Sequence, residues 1–333
     1  MIRESHIWRR LAAFRPSQFS ANTAIQTSGL RGDPTSKWSR RAILSLPLWT
    51  VCSHAAIRNP YGLVTGPDGA LYVCEIDTHR ISRLDLKTGK STDFVTGPDL
   101  QQPYEVRFDK RGDLYFVDMP GHKIYKFAVK TKTLSVIAGT GQPGFSGDGG
   151  PALQAQFKQP HSIVFDPQGR LLVCDIGNQR IRRIDLKTGI IETLGEPMKG
   201  PRAIDFDKHG TLWLALREGN MVMKLENGKW QAVAGTGEKG YTDGVAREAK
   251  LNGPKGIACA PDGTVYIADT ENHCVRRIDP KAGTITTVAK GMKRPHGVFV
   301  DRKGTIYVGD SENHRVTVIP GPSAKDGTAR HYE

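Results

Sequence analysis

Residues 254–278 read PKGIACAPDGTVYIADTENHCVRRI, and the fold of the chain is legible in this one stretch. A proline opens a short apolar segment, Gly256-Ile257-Ala258-Cys259, which ends in a turn around Pro261-Asp262-Gly263. Next comes Val265-Tyr266-Ile267, a continuous apolar triplet of β-forming residues, and then a run from Val275 to Ile278 with arginines between its apolar positions. Turn formers separating short β-rich runs predict three strands in about 25 residues. A strand that is apolar on both faces has to be covered on both sides.

The same unit recurs along the chain. Pro60, Pro103, Pro160, Pro201, Pro254 and Pro295 are each followed nine residues later by glycine, at Gly69, Gly112, Gly169, Gly210, Gly263 and Gly304. After each glycine stands an apolar run such as Leu71-Tyr72-Val73 or Leu212-Trp213-Leu214, and then a third run such as Ile81 to Leu84 or Ile181 to Ile184. Arg or Lys within the third run is expected to cover a blade edge with its stem while its charge reaches water. Five units add a fourth, more polar segment, for example Thr92-Asp93-Phe94-Val95 and Ile285-Thr286-Thr287-Val288. The prolines lie 41 to 57 residues apart, the period of four-stranded propeller blades. The expected fold is all-β: a six-bladed β-propeller of four-stranded antiparallel blades spanning 43–333, with blades starting near residues 59, 102, 159, 200, 253 and 294.

The sixth unit has no obvious fourth strand, because Pro320 to Glu333 is poor in apolar residues. Trp49-Thr50-Val51 ends nine residues before Pro60 and is proposed to supply that strand, locking first blade to last. The competing supplier is the C-terminal segment Thr328 to Tyr332, which is needed if residues 1–55 are removed as an export signal. Residues 1–41 are Arg- and Ser-rich without periodicity and read as a disordered basic segment. Ser39-Arg40-Arg41-Ala42-Ile43-Leu44 resembles a twin-arginine signal, with small residues at Ser53-His54-Ala55, so export and cytoplasmic residence stand about level. No apolar run is long enough to span a membrane.

Asn272-His273-Cys274 and Asn313-His314-Arg315, with Asn178-Gln179-Arg180 as a variant, resemble the signature of the NHL repeat family. Two Gly-rich inserts, from Ala138-Gly139-Thr140-Gly141 to Gly149 and from Ala234-Gly235-Thr236-Gly237 to Gly244, are similar to inserts of bacterial members. The resemblance covers residues 59–319 and implies a closed propeller; it does not imply one activity, since the family spans binding modules, sensor domains and a few enzymes. Similarity to calcium-dependent propeller lactonases is weaker, because the glutamate and asparagine placements that bind their metal are not recognisable.

Antiparallel pairing sets the residue after each proline and the turn after strand two on one face of the ring. Strand one is innermost in a propeller, so Tyr61, Tyr104, His161, Arg202, Lys255 and His296 are expected to surround the channel mouth. Two cations, two imidazoles and two phenols, with Glu105 as the nearby carboxylate, favour an anionic ligand such as a carboxylate, phosphate or sulfate. The competing expectation is a wet opening whose polar side chains hold no ligand. The NHL-type peptide-amidating lyases hold zinc with channel histidines, but His161 and His296 lie three blades apart and no third ring histidine exists. No cofactor is therefore expected; a divalent metal at the mouth is the competing expectation.

Six residues after the glycine stand Glu75, Asp118, Asp175, Asp269 and Asp310, whose recurrence marks turn-builders accepting backbone N–H bonds. His79, His122, His273 and His314 are assigned the same structural role. Blade four breaks the pattern at Leu216 and Gly219-Asn220, so a differently bonded turn is expected there. The first insert is expected to be a flexible connector with one helical turn between Ala152 and Phe157, beside the channel where it could act as a lid or partner contact.

Net charge is +13, but residues 1–58 hold nine Lys/Arg against two Asp/Glu, leaving +6 on the rest. That surplus is too small to favour nucleic acid as partner. Cys52, Cys74, Cys174, Cys259 and Cys274 show neither paired nor zinc-type spacing, and buried free thiols are expected. A monomeric binding or scaffolding propeller, meeting a protein or an anionic small molecule, is the leading functional expectation. A lyase or hydrolase working at the mouth is the alternative, and RNA binding the third.

Overall fold

The computed structural model describes residues 56–321 and 328–333, and they form six antiparallel sheets arranged in a ring. The innermost strands are Pro60–Thr65, Pro103–Phe108, Pro160–Phe165, Pro201–Phe206, Pro254–Cys259 and Pro295–Val300. Each pairs with the strand that begins after the glycine turn, and in every blade the four repeat strands follow the chain outward. The six-unit propeller expected from the repeat is the fold observed.

One apolar cluster fills each gap between neighbouring blades. Between blades four and five, for instance, Ala203, Trp213, Ala215 and Val222 pack on Ile257, Val265, Ile267 and Ile278. Between blades six and one, Tyr307, Val316 and Val318 pack on Leu63, Leu71, Val73 and Leu84. The central strands Leu71–Glu75, Leu114–Asp118, Leu171–Asp175, Leu212–Leu216, Val265–Asp269 and Ile306–Asp310 are buried at every position. Their apolar triplets are thus covered on both faces, each buried Val, Leu or Ile contributing about 1.5–3 kcal/mol. Innermost strands meet so closely that a Cβ on Gly297 would stand 2.1 Å from the Tyr61 carbonyl oxygen. Only glycine fits there.

The fourth strand of blade six is Arg330–Tyr332, paired antiparallel to Arg315–Ile319. The C-terminal segment therefore occupies the place for which Trp49-Thr50-Val51 competed; those residues and the export motif lie outside the described residues. Blade one is held to blade six by Ile57, buried in their shared cluster, and by Tyr332, whose hydroxyl donates to the Leu86 carbonyl over 2.9 Å.

The recurrent acids act as turn-builders. Glu75 accepts the Arg58 N–H, Asp118 those of Gln101 and Gln102, Asp175 that of Lys158, Asp269 that of Asn252 and Asp310 that of Lys293, at 2.7–3.0 Å. Each carboxylate so ties the end of strand two to the segment entering its own blade. Blade four lacks the acid and uses backbone alone, Arg217 and Gly219 N–H donating to the carbonyls of Gly200 and Lys199. The histidines adopt left-handed backbone, with φ of 52–56°. All four bridge blades: Nδ1 of His122, His273 and His314 accepts the N–H of Gln159, Arg294 and Asn59, each at 3.1 Å, and Nδ1 of His79 donates to the Gln101 carbonyl.

Two expectations are corrected. Arg182 and Arg276, on the third strands of blades three and five, do not send their charges to water: both are fully buried. Arg182 donates to Ser146 O and Asp148 Oδ1 in the first insert and lies 5.0 Å from the Phe145 ring. Arg276 clasps the second insert in the same manner, through Thr242 O, Asp243 Oδ1 and the Tyr241 ring. The inserts are accordingly not lids. Each folds over the outer edge of the following blade: Pro151 bridges to Ile190, and Gly244–Val245 adds a fifth strand to Thr284–Ala289. The helical turn of the first insert is present as a single 3₁₀ turn at Ala152–Gln154.

Cys74, Cys174, Cys259 and Cys274 are free thiols, and burial pushes all four up. Cys52 lies outside the described residues. No helix among the described residues is long and apolar enough to cross a membrane.

Candidate functional site

Every innermost strand breaks register at its post-proline residue. In blade five Pro254 pairs with Asp269 while Gly256 pairs with Ala268, so Lys255 stands outside the ladder. The same irregularity occurs at the start of the other five innermost strands. A bulge re-aims the extra residue's side chain, and here six bulges aim six side chains at one mouth. Tyr61, Tyr104, His161, Arg202, Lys255 and His296 all line a single cavity of about 250 Å³.

Sequence reasoning missed Asn59, Arg217, Arg294 and Glu312 in the lining. Arg217 and Glu312 come from turns after strand two, which the face assignment already pointed to; Asn59 and Arg294 directly precede the blade prolines, where backbone in the left-handed region (φ 46° and 48°) diverts the chain. Glu105, the expected carboxylate, does not line the cavity and is ion-paired to Arg107. A larger cavity of about 870 Å³ lies among the turns at Pro67, Asp109 and Asp301; Asp109 and Asp301 are tied into their own turns.

The mouth is polarised around its rim. On one side His296 stacks on Tyr61, with ring centroids 3.9 Å apart; Tyr61 meets Tyr104 edge-on at 4.8 Å, and Tyr104 meets His161 likewise at 4.8 Å. On the other side stand Arg202 and Lys255, with Arg217 and Arg294 also at the cavity. Burial, reinforced by Tyr104 alongside, raises the Tyr61 phenol. Burial, and then the neighbouring cations, hold His161 and His296 well below the ordinary histidine range. Both imidazoles are neutral near pH 7 and share one tautomer, because Nδ1 donates to a backbone carbonyl, Gln159 in one case and Arg294 in the other. Nε2 is left as an acceptor.

The cations differ in their partners. Lys255 is ion-paired to Glu271 at 3.0 Å, and Arg294 to the same Glu271 at 2.7 Å. Arg202 is only 5% exposed, yet among the described residues its guanidinium makes no hydrogen bond or ion pair; it lies 5.5 Å from the Tyr104 ring. Burial depresses its affinity for a proton. The residue is largely buried, but its guanidinium nitrogens stay accessible at the cavity, where an anion could meet them.

Among the described residues no three His, Cys, Asp or Glu side chains cluster as ligands, and the mouth carboxylate Glu312 faces Arg294. The rim would repel a cation.

The profile of the SMP-30/Gluconolactonase/LRE-like region matches residues 105–327. Human NHL repeat-containing protein 2 is 24% identical over 69% of this chain, which spans 40% of that relative's length and 10–27% of others. Among solved structures, a streptogramin B lyase superposes with TM-score 0.58 at 20% identity, covering 84% of both chains. An auxiliary nutrient binding protein from Bacteroides thetaiotaomicron gives 0.65 at 15% identity, covering 84% of this chain and 70% of its own. At these identities the structural likeness speaks for fold. The six-blade repeat, the Asn-His motifs and the match across two thirds of the sequence place the chain in the SMP-30/gluconolactonase/LRE-like family, among its NHL-type propellers.

Proposed function

We propose that this propeller binds a small anion at its channel mouth, a carboxylate, phosphate or sulfate group held by Arg202. The observation that carries this is the guanidinium of Arg202, a residue 5% exposed, which has no ion-pair or hydrogen-bond partner among the described residues and opens on a cavity with three further cations. An anion bound there would form charge-assisted hydrogen bonds, bidentate if planar. The aromatic arc from His296 to His161 supplies an apolar wall for the rest of the molecule. His161 Nε2 is left as an acceptor and suits a hydroxyl on the ligand. Propellers of similar shape include one named as a nutrient-binding protein and one named as a lyase.

Isothermal calorimetry with sulfate, phosphate and lactate, on wild type and on Arg202→Met, tests the proposal. At least one anion should bind the wild type and lose about 100-fold or more in the variant, as expected for loss of a buried charged contact of about 3 kcal/mol. Equal, millimolar or weaker response in both proteins would identify the mouth as a solvated opening without a ligand.

A further inference from the structure

Lys255 and His296 stand on neighbouring innermost strands with Nζ 3.4 Å from Nε2, and each is more than nine-tenths buried. The His296 tautomer is set from its far side. Nδ1 lies 2.9 Å from the Arg294 carbonyl, which only accepts, and 3.0 Å from Ser311 Oγ, whose own hydrogen goes to the Pro60 carbonyl at 2.6 Å. Nδ1 therefore carries the hydrogen, and Nε2 turns a lone pair toward the amine. Glu271 accepts from Lys255 but also from Arg294, so it keeps a cationic partner when the amine loses its proton. Burial foremost, opposed by Glu271 and aided by Arg294 and Arg202, brings the Lys255 amine down to about 8. A buried amine with a base beside it and an unpaired guanidinium in the same cavity has the composition of a covalent carbonyl site.

We propose that Lys255 is a nucleophile that condenses reversibly with the carbonyl carbon of a small oxo acid whose carboxylate is held by Arg202. The proposal rests on the anion site and names its ligand class. The Nζ lone pair forms the C–N bond as the C=O π pair moves onto oxygen. His296 Nε2 takes a proton from the nitrogen and returns it to that oxygen, giving a carbinolamine. A second proton transfer along the same path expels water and leaves the imine. Both hydrogens lost by the amine depart in that water, and no oxidant or reductant is consumed. A cavity of about 250 Å³ admits acids of a few carbons. Lys110 and Lys303, which line the larger cavity, are exposed.

The test is reductive trapping of the full chain with pyruvate and cyanoborohydride at pH 8, read by intact mass and peptide mapping, with lactate as an anion that cannot condense. A single adduct is expected on the peptide holding Lys255, formed at least tenfold more slowly in Arg202→Met, absent in Lys255→Met and suppressed several-fold by excess lactate. Mapping the wild-type adduct keeps the test valid even if a variant fails to fold. Adducts confined to other lysines, or none at all while lactate still binds in an Arg202-dependent way, would overturn the imine and leave the anion site standing. Failure of pyruvate, lactate, sulfate and phosphate alike to bind would remove both.

Discussion

The backbone N–H of Asn59 donates to Nδ1 of His314 over 3.1 Å, joining positions 255 residues apart and tying the entry to blade one to the turn of blade six. With the Ser311 hydroxyl on the Pro60 carbonyl, it places two polar links beside the apolar seam that closes the ring. His314→Ala leaves the Asn59 N–H without its acceptor and should cost about 1 kcal/mol. Urea denaturation at pH 7.5 checks this; an unchanged midpoint would show that the seam alone closes the ring.

Arg276 offers a harsher case. It gathers Asp269, Asp243 and the carbonyls of Thr242 and Lys250 around a fully buried guanidinium, and Asp269 is itself fully buried. Arg276→Ala should destabilise by about 3–5 kcal/mol, the usual cost of breaking one partner out of a buried pair. Arg276→Lys should rescue little, since a lysine cannot reproduce a planar fork with four partners. Limited proteolysis should then cut first within the insert at 235–251, and a cut elsewhere would refute the clasp.

Arg202→Met should behave in the opposite way. Removing an unpaired buried charge and replacing it with an apolar chain of similar length should raise stability by about 1 kcal/mol or more, while ligand binding is lost. Calorimetric unfolding in anion-free buffer checks the sign. A loss of stability would mean that Arg202 serves the fold.

The mouth histidines predict an acid-labile fold. His161 and His296 are held well below 6.5 in the native state, whereas the unfolded chain takes up those protons near 6.5. Below that pH the unfolded state binds more protons, so their contribution is complete above pH 6.5 and is lost as pH falls through it. Asp175, raised by burial to about 6, works the other way between that value and its ordinary 3.8. The histidine share is isolated by comparing wild type with His161→Gln/His296→Gln. Between pH 6.5 and 4.5 the wild type should lose stability more steeply, by up to about 1.4 kcal/mol per pH unit for each histidine. Parallel profiles would contradict the depressed values.

Much was written in the local pattern. The spacing from Pro254 to Gly263, repeated six times, determined blade number, strand order and the residues that ring the mouth, because turn chemistry and strand burial act over a few neighbouring positions. The recurrence of Asp118, Asp175, Asp269 and Asp310 likewise announced their backbone bonds. What only the tertiary structure decided are relations between residues distant in sequence. The bulge at each post-proline residue, the sorting of the rim into an aromatic arc and a cationic side, and the lack of a partner for Arg202 among the described residues depend on which blades adjoin and how closely. So does the choice of Arg330–Tyr332 as the last strand, since a polar three-residue segment carries no strand signal until a sheet edge offers it hydrogen bonds.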